Sequence, residues 1–251
     1  MLIFSRVFNI VRENGFLFLL KKLFKRFLRI FYPLFLPYWR IKIKRFKPTR
    51  INKLINFVFN ELGGIIEPMQ IREEIYQLLK ILADKKPKII LEIGTANGGT
   101  LFLFSRMALE DSTIISVDMP GGMFGGGYPK WKISLYKSFS GKNQKIHLIR
   151  EDSHKKDTFT KIKKILKDRK VDFLFIDGDH SYEGVKKDFQ TYKPLMKKGG
   201  FVAFHDIAPN GSLELVGGVP VFWNEIKSQF KFSEYIKEIN QNGFGIGVIY
   251  L

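Results

Sequence analysis

From residue 88 onward, short apolar runs alternate with longer stretches whose apolar residues recur every three or four positions. The short runs predict strands, and the longer stretches predict amphipathic helices. The predicted strands are 88–93, 113–118, 145–150, 171–177, 200–205, 232–239 and 245–250. The predicted helices are 98–109, one ending near 139, 157–168, 184–194 and 221–229. A helical lead-in is predicted over 52–83, with a break at Gly63-Gly64.

Four of the first five predicted strands are largely apolar, as in IISV at 114–117 and FVAF at 201–204. Strands of this kind are buried on both faces, which is typical of a parallel sheet covered by helices. The strand–helix alternation therefore predicts an α/β, Rossmann-like fold with a mostly parallel seven-stranded sheet and helices on both faces. In such folds ligands bind beyond the carboxyl ends of the strands.

The N-terminal stretch has a different pattern, read as FLFLLKKLFKRFLRIF over residues 16–31. At 100° per residue, the apolar residues from Leu20 to Phe31 lie on one helix face and five basic residues lie on the other. This pattern is typical of a basic amphipathic helix lying in a membrane interface. Lysines interrupt the apolar run after Leu20, so the segment is too short to span a bilayer, which needs about 20 apolar residues.

Charge separates the same region from the rest of the chain. The net charge is +18, and residues 1–50 supply 12 of it, with 13 Lys and Arg against the single acid Glu13. We therefore divide the chain into a basic segment, 1–50, and a domain, 51–251. An anionic membrane surface contacted through residues 16–50 is the first interpretation. Packing on the domain or in a homo-oligomer and binding of nucleic acid are the alternatives.

The chain has no cysteine, which excludes a disulfide framework, a thiolate zinc site and a cysteine nucleophile. This composition fits a reducing compartment. We expect a cytoplasmic protein, peripheral at the inner membrane face.

Polar or acidic residues follow each of the first five predicted strands. They are Glu92, Asp118, Glu151-Asp152, Asp177 and His205-Asp206. Because parallel strands end at one edge of the sheet, five such residues indicate one assembled site.

The loop after the first strand reads Glu92-Ile93-Gly94-Thr95-Ala96-Asn97-Gly98-Gly99. Glycines there let the chain turn tightly and let a ligand approach the backbone. With Glu92 two residues before Gly94, the loop resembles motif I of class I methyltransferases, which bind S-adenosylmethionine (SAM). The resemblance implies that Gly94, Thr95, Asn97 and Gly98 contact this cofactor and that Glu92 anchors its cationic amino-acid part.

Two further strand ends are candidate cofactor contacts. Asp118 can accept hydrogen bonds from both ribose hydroxyls of an adenosine group. Asp152 and Ser153 are candidates for contacting adenine, and a helix N-cap is the alternative interpretation for them.

The segment after the fourth strand reads Asp177-Gly178-Asp179-His180, and His205-Asp206 follows the fifth. Carboxylates and imidazoles beyond two buried strands predict a divalent-metal site, and carboxylate oxygens suit Mg²⁺. We assign Asp177, His205 and Asp206 as metal ligands and His180 as the general base. A metal beside a substrate hydroxyl lowers the pKa of that hydroxyl, and a nearby histidine accepts the proton.

Four segments carry a closer resemblance: ISVDMPGGMFGGGYPKWK, FLFIDGDHSYEGVKKDF, GGFVAFHDI and GVPVFWNEIK. They resemble the class I methyltransferases of the cephalosporin-hydroxylase-like family, which is similar to metal-dependent macrolide-sugar O-methyltransferases. The resemblance implies a covering loop at 121–128 and a metal site that uses Asp177-x-x-His180. One acid of the family's second pair is replaced by His205. It also implies that Asp177 lies beside the cofactor.

The sequence thus predicts an O-methyltransferase that uses SAM and Mg²⁺ on a small-molecule or glycan hydroxyl. A nucleic-acid methyltransferase is disfavoured, because the chain has no Asn/Asp-Pro-Pro-Tyr motif and no cysteine. A metal-dependent hydroxylase, with His180, His205 and Asp206 as iron ligands, is the remaining alternative.

Overall fold

A computed structural model describes residues 29–122, 126–210 and 216–251. The described residues up to Arg45 belong to one compact unit, and Phe46–Leu251 forms a second. Three predicted features lie wholly or partly outside the described residues. These are the amphipathic helix up to residue 28, positions 123–125 of the glycine-rich loop and positions 211–215 after the fifth strand.

The first unit contains a 3-10 helix, Arg29–Phe35, followed by helix α1, Leu36–Arg45. Pro37 lies in the first turn of α1, where a backbone N–H has no partner inside the helix. Lys42, Lys44 and Arg45 occupy the last turn of α1, where cations interact favourably with the helix dipole.

The second unit begins with helix α2, Ile51–Asn56, a π-helical turn at Phe57–Glu61 and helix α3, Arg72–Lys85. The predicted helical lead-in is therefore divided in two. Gly63 and Gly64, at φ +60° and +80°, fall in the irregular segment between α2 and α3, as predicted.

Seven strands form one sheet. They are β1 (Ile89–Ile93), β2 (Thr113–Val117), β3 (Lys145–Ile149), β4 (Val171–Ile176), β5 (Met196–His205), β6 (Lys231–Tyr235) and β7 (Ile246–Tyr250). Their order is β3-β2-β1-β4-β5-β7-β6, and β7 alone runs antiparallel to both of its neighbours. The predicted mostly parallel, seven-stranded fold is confirmed.

The helices between the strands are α4 (Gly99–Met107), α5 (Lys132–Lys137), α6 (Lys156–Leu166), α7 (Tyr182–Tyr192) and α8 (Val219–Ile226). The fifth strand begins four residues before its predicted start, and the sixth ends four residues before its predicted end. All five residues of β1 and of β2 are buried, as their apolar composition predicts.

The chain places the ends of four parallel strands side by side. β1 pairs with β2 on one side and with β4 on the other, and β4 pairs with β5. Strand order reverses at β1 and β4, which is where open α/β sheets bind ligands. Among the described residues, none of the helices has the length and apolar character needed to cross a membrane.

Candidate active site

The segments that follow β1 and β4 are in close backbone contact at Gly94. The Asp177 amide donates to the Ile93 carbonyl at 2.8 Å, which places the chain after β4 against the loop after β1. A Cβ atom on Gly94 would lie 1.9 Å from the Asp177 carbonyl oxygen, and Gly94 has φ +92°. Both conditions require glycine, because side chains rarely adopt this φ and none fits this gap.

The rest of the loop is held by its neighbours. A Cβ on Gly98 would lie 2.5 Å from the Tyr136 ring, whose hydroxyl donates to the Ala96 carbonyl at 3.0 Å. The Lys132 ammonium donates to the Asn97 carbonyl at 3.3 Å. Two side chains of α5 therefore fix the turn that leads into α4.

An open cleft lies beside this loop. It is lined by Glu67, Pro68, Met69, Gln70, Gly94, Thr95, Ala96, Asn97, Gly99, Thr100 and Asp177. Four of the residues predicted to contact the cofactor, Gly94, Thr95, Asn97 and Asp177, thus surround one cavity. The segment 67–70 was not predicted to take part.

Glu92 is fully buried below the cleft. Its two carboxylate oxygens accept hydrogen bonds from the Thr100 and Ser116 hydroxyls, each at 2.6 Å. Burial raises the pKa of Glu92 to about 8, in spite of these two hydrogen bonds. The predicted anchoring of a cationic group by Glu92 stays a prediction.

The Asp118 carboxylate accepts hydrogen bonds from the backbone of two loops and so holds these loops together. Its Oδ2 accepts from the Thr95 and Ala96 amides at 3.2 and 2.7 Å, and its Oδ1 accepts from the Gly127 amide at 2.7 Å. Burial raises the pKa of the Asp118 carboxyl against the opposing effect of these bonds. Each carboxylate oxygen has two lone pairs, so Oδ1 retains one for a further donor such as a ribose hydroxyl.

The segment after β3 forms a local turn. Asp152 Oδ1 accepts from the His154 amide at 2.8 Å, and the Ser153 carbonyl accepts from the Tyr192 hydroxyl at 2.6 Å. The predicted alternative, a helix N-cap, is not what these residues form, because α6 begins at Lys156 with Lys155 as its N-cap. The adenine contact stays a prediction.

Three side chains beyond β4 and β5 converge on one another. Asp177, His180 and Asp206 each offer one ligand atom, and these atoms lie within 4.8 Å of one another. His180 Nδ1 is 3.2 Å from Asp206 Oδ2, and His180 Nε2 is 3.5 Å from Asp177 Oδ1. The sequence predicted all three as neighbours, with His180 as base and the two aspartates as ligands.

His205, the third predicted ligand, lies below this group. Its Nδ1 is 3.1 Å from Asp177 Oδ1 and 3.3 Å from Asp206 Oδ2, so one nitrogen faces two carboxylates. Burial disfavours the charged imidazole, but the two carboxylates outweigh it and hold the pKa of His205 well above its usual value. Burial raises the pKa of the Asp177 carboxyl, but the charges and hydrogen bonds of His205 and His180 together outweigh it and lower that pKa.

Two residues of the site were missed by the sequence reasoning. Gln70 donates from Nε2 to Asp177 Oδ2 at 2.8 Å. Its Oε1 is buried and has no hydrogen-bond partner among the described residues. No motif surrounds Gln70, and it stands 107 residues before its partner, so the sequence gives no signal for this contact.

The second missed residue is Glu74 on α3. Asp206 has φ +63°, and its Oδ1 accepts from the Phe244 amide at 3.1 Å. Glu74 Oε2 accepts from the adjoining Gly245 amide at 2.9 Å. The buried Glu74 therefore stabilises the turn at Phe244-Gly245, and this turn donates a hydrogen bond to Asp206.

Comparison with protein families agrees with this geometry. A family model described as "Methyltransferase domain" matches residues 91–207, which run from β1 through β5. A protein named R132 from Acanthamoeba polyphaga mimivirus is 30% identical over 134 residues, covering 52% of this chain and 58% of that protein. The protein y4gI of Sinorhizobium fredii is 30% identical over 144 residues, covering 56% of this chain but 15% of that protein. The alignments thus span less than two thirds of either relative.

Solved structures share the fold at low identity. An O-methyltransferase from Bacillus cereus, in complex with S-adenosylhomocysteine (SAH), has a TM-score of 0.54 and 13% identity, over 82% of this chain and 93% of that chain. The O-methyltransferase TomG from Streptomyces achromogenes, in complex with SAM, has a TM-score of 0.51 and 15% identity, over 82% and 91%. Residues 91–207 are therefore similar in sequence to methyltransferase domains, and most of the chain shares its fold with solved structures described as O-methyltransferases.

Proposed function

We propose that this protein is a SAM-dependent O-methyltransferase that acts on a hydroxyl of a glycan, a glycolipid or a sugar-containing metabolite. The observation that carries the proposal is the position of Asp177, which lines the cleft beside the glycine loop and also belongs to the group formed with His180 and Asp206. The proposed cofactor cleft and the cluster that contains the proposed base thus share Asp177.

Two acceptors in and near the cleft suit the cationic and hydroxyl groups of SAM. The unpartnered Gln70 Oε1 is an acceptor that fits an ammonium group, such as that of the amino-acid part of SAM. Leaving such a buried acceptor unpaired costs about 1–3 kcal/mol, so a donor that reaches it gains affinity. Asp118 Oδ1 has a lone pair left for a ribose hydroxyl. When bound, SAM supplies a methyl group on a sulfonium sulfur.

His180 is the residue that we assign to remove the acceptor proton. Asp206 faces its Nδ1 at 3.2 Å, which favours the tautomer with hydrogen on Nδ1 and leaves Nε2 as the accepting nitrogen. The acceptor oxygen would take the methyl group as the methyl–sulfur bond breaks and leaves a neutral thioether, and His180 would accept the hydroxyl proton at Nε2. Removing such a base lowers rates by about 10²–10⁴-fold.

A divalent cation would be held by the Asp177 and Asp206 carboxylates, whose ligand atoms lie within 4.8 Å of each other and of a His180 ring nitrogen, with His180 beside the cation as the base. When bound, a metal would acidify the acceptor hydroxyl. His205 faces the same two carboxylates, so a cation and a protonated His205 would compete for them. Metal assistance is therefore a separate part of the proposal with its own test.

Calorimetry of the purified protein with SAH tests the cofactor. Transfer of labelled methyl groups from SAM to nucleotide sugars, to lipid-linked sugars or to RNA then distinguishes the acceptor classes. Failure to bind SAH contradicts the proposal as a whole. Methylation of RNA alone favours the nucleic-acid alternative. Iron-dependent oxidation of an acceptor without SAM favours the hydroxylase alternative.

The metal is tested by assaying the same reaction after dialysis against EDTA and after addition of Mg²⁺ or Mn²⁺. We expect activity to fall on chelation and to return with the metal. Full activity in EDTA contradicts metal assistance and leaves O-methyl transfer intact.

A further inference from the structure

Apolar side chains project into solvent along one side of the first unit. The exposed fractions of Leu34, Tyr38 and Ile41 are 74%, 53% and 51%. Two of these three side chains are aliphatic. Tyr38 and Ile41, three residues apart, lie on one side of α1, and Leu34 lies four residues before Tyr38 in the preceding 3-10 helix; we call this set the apolar stripe. Phe35, beside Leu34, is also exposed. Contiguous exposed apolar surface of this kind marks an interaction site.

The charge around the apolar stripe has one sign. Residues 29–50 contain seven Lys and Arg and no acid, and no acid occurs anywhere between Glu13 and Glu61. Lys44 and Arg45, both exposed, extend from the last turn of α1, next to Ile41. Long basic side chains at the edge of an apolar face can bury their stems while their charges stay in water.

We propose that the apolar stripe docks on the surface of an anionic lipid bilayer. Leu34 and Ile41 enter the boundary between headgroups and acyl chains, and Tyr38 lies at headgroup level, where tyrosine is enriched. The surrounding cations face the acidic headgroups. α1 has ten residues, too few to cross a bilayer, so the segment lies along the surface.

Two other occupants fit the observations less well. A second copy of this chain, paired through the same face, would bring two sets of cations together without an acid to compensate them. A nucleic acid would satisfy the cations and could stack on Tyr38, but it would leave the aliphatic Leu34 and Ile41 without an apolar partner. A bilayer with anionic headgroups matches the aliphatic, aromatic and basic side chains together.

The first test is flotation of the full chain with vesicles. One set is pure phosphatidylcholine, and the other contains about one third phosphatidylserine. We expect binding to the anionic set alone, reduced about tenfold or more in a variant carrying Leu34→Ser, Tyr38→Ser and Ile41→Ser. The matched control, Val221→Ser with Ile239→Ser, removes apolar side chains that are 63% and 90% exposed in the second unit. It should bind like wild type, and thermal melting confirms that both variants fold.

The second test measures insertion at single positions, independently of any other segment that binds lipid. Since the chain has no cysteine, one introduced cysteine is unique. Leu34→Cys and Ile41→Cys, labelled with bimane, should be quenched by brominated lipid in anionic vesicles. Ile239→Cys should not be quenched.

Unchanged flotation of the triple-serine variant contradicts the proposal, and so does equal quenching at positions 34 and 239. Loss of self-association in the triple-serine variant, with vesicle binding unchanged, identifies a second copy as the occupant instead. Loss of an RNA gel shift, again with vesicle binding unchanged, identifies nucleic acid.

Discussion

The side-chain amide of Gln70 joins the lead-in segment to the centre of the site by donating from Nε2 to Asp177 Oδ2 at 2.8 Å. The geometry fixes the orientation of the amide, because Asp177 can only accept. Oε1 is thereby turned away from Asp177 as a buried acceptor without a partner among the described residues. One side chain thus orients the carboxylate and offers an acceptor in the cleft that we assign to SAM.

We expect Gln70→Ala to weaken SAH binding by about tenfold or more, which corresponds to one hydrogen bond to a charged group. Calorimetry with SAH measures the loss. Gln70→Glu should also weaken the contact between residue 70 and Asp177, because it places a second carboxylate beside the Asp177 carboxylate.

Gln229→Ala is the matched control, since the Gln229 side-chain amide lies on an exposed surface, where it donates to the Glu225 carbonyl. Wild-type affinity in Gln70→Ala contradicts the assignment of Oε1 to the cofactor. A loss of stability without a loss of affinity gives Gln70 a structural role alone.

Gly94 offers a direct measure of the contact between β1 and β4. Gly94→Ala combines a strained φ with a Cβ that would lie 1.9 Å from the Asp177 carbonyl oxygen. We expect a loss of about 3 kcal/mol or more in the free energy of unfolding, as the strain and the overpacking add. Urea unfolding measures this loss.

Gly199→Ala separates the two contributions. Gly199 has φ +79°, but nothing lies within 4 Å of its Cβ position. Gly199→Ala should lose only about 1–2 kcal/mol in the free energy of unfolding, which is the strain of a side chain at this positive φ. Equal losses in the two variants would show that the contact with Asp177 adds nothing.

Much of this architecture could be predicted because it depends on local pattern. β1 and β2 are apolar on both faces, and that alone predicts buried parallel strands. Once the strands are parallel, Asp118, Asp177 and Asp206 must reach the same edge of the sheet. The predicted convergence of Asp177, His180 and Asp206 follows from this rule.

The contacts that the sequence could not show join residues with no shared pattern. Glu92 faces Ser116 because β1 and β2 pair in one particular register, and apolar runs do not encode register. Gln70 lies in the irregular stretch between α2 and α3, where no periodicity applies. His205 was assigned as a ligand from its place beside Asp206, whereas the chain turns its Nδ1 toward two carboxylates.

Glu74 should matter to both stability and turnover. Its Oε1 accepts from the Lys237 amide and from Gln241, and its Oε2 accepts from the Gly245 amide. Glu74→Gln replaces one acceptor oxygen with a donor that faces N–H groups. We expect a loss of about 2–3 kcal/mol in the free energy of unfolding, together with slower methyl transfer, because the adjoining turn holds Asp206.

Glu73→Gln is the matched control one residue away. Glu73 is exposed and pairs with Lys237 at 3.3 Å, so its removal should change stability by less than about 1 kcal/mol. If Glu74→Gln loses stability but keeps full turnover in the folded fraction, the link from Glu74 to Asp206 has no catalytic role.

His154 predicts a pH dependence of stability. Its Nε2 lies 3.2 Å from Asp188 Oδ1 and 3.2 Å from the Gly184 carbonyl oxygen, and the pairing with the Asp188 carboxylate raises the pKa of His154 despite partial burial. A raised folded-state pKa gives stability that is fully present below the unfolded pKa, about 6.5, and is lost as pH rises through the folded value. We expect the stability advantage of wild type over His154→Gln to shrink with rising pH, as measured by urea unfolding.

His147 supplies a control of opposite sign. Burial lowers the pKa of His147, so the stability linked to it is present above the unfolded pKa and is lost as pH falls. The difference between wild type and His147→Gln should therefore change in the opposite direction. The same trend in both variants would contradict the assignment to Asp188.

Glu92 gives the strongest pH-dependent prediction. Burial raises the pKa of Glu92 to about 8, so the neutral form predominates at pH 7 in the free protein. The stability linked to its protonated form is complete below the unfolded pKa and is lost as pH rises through the folded pKa. Between pH 5 and pH 9, wild type should lose about 4 kcal/mol relative to Glu92→Gln. Urea unfolding across this range measures the difference.

The same titration tests whether Glu92 acts on the cofactor. A cationic group bound nearby lowers the pKa of Glu92, so binding of SAH near pH 7 should release protons. Calorimetry in buffers of different ionisation enthalpy measures this release, which Glu92→Gln should abolish. If wild type releases no proton, the hydrogen bonds from Thr100 and Ser116 are the whole role of Glu92, because a carboxyl that anchors the cofactor must respond to its charge.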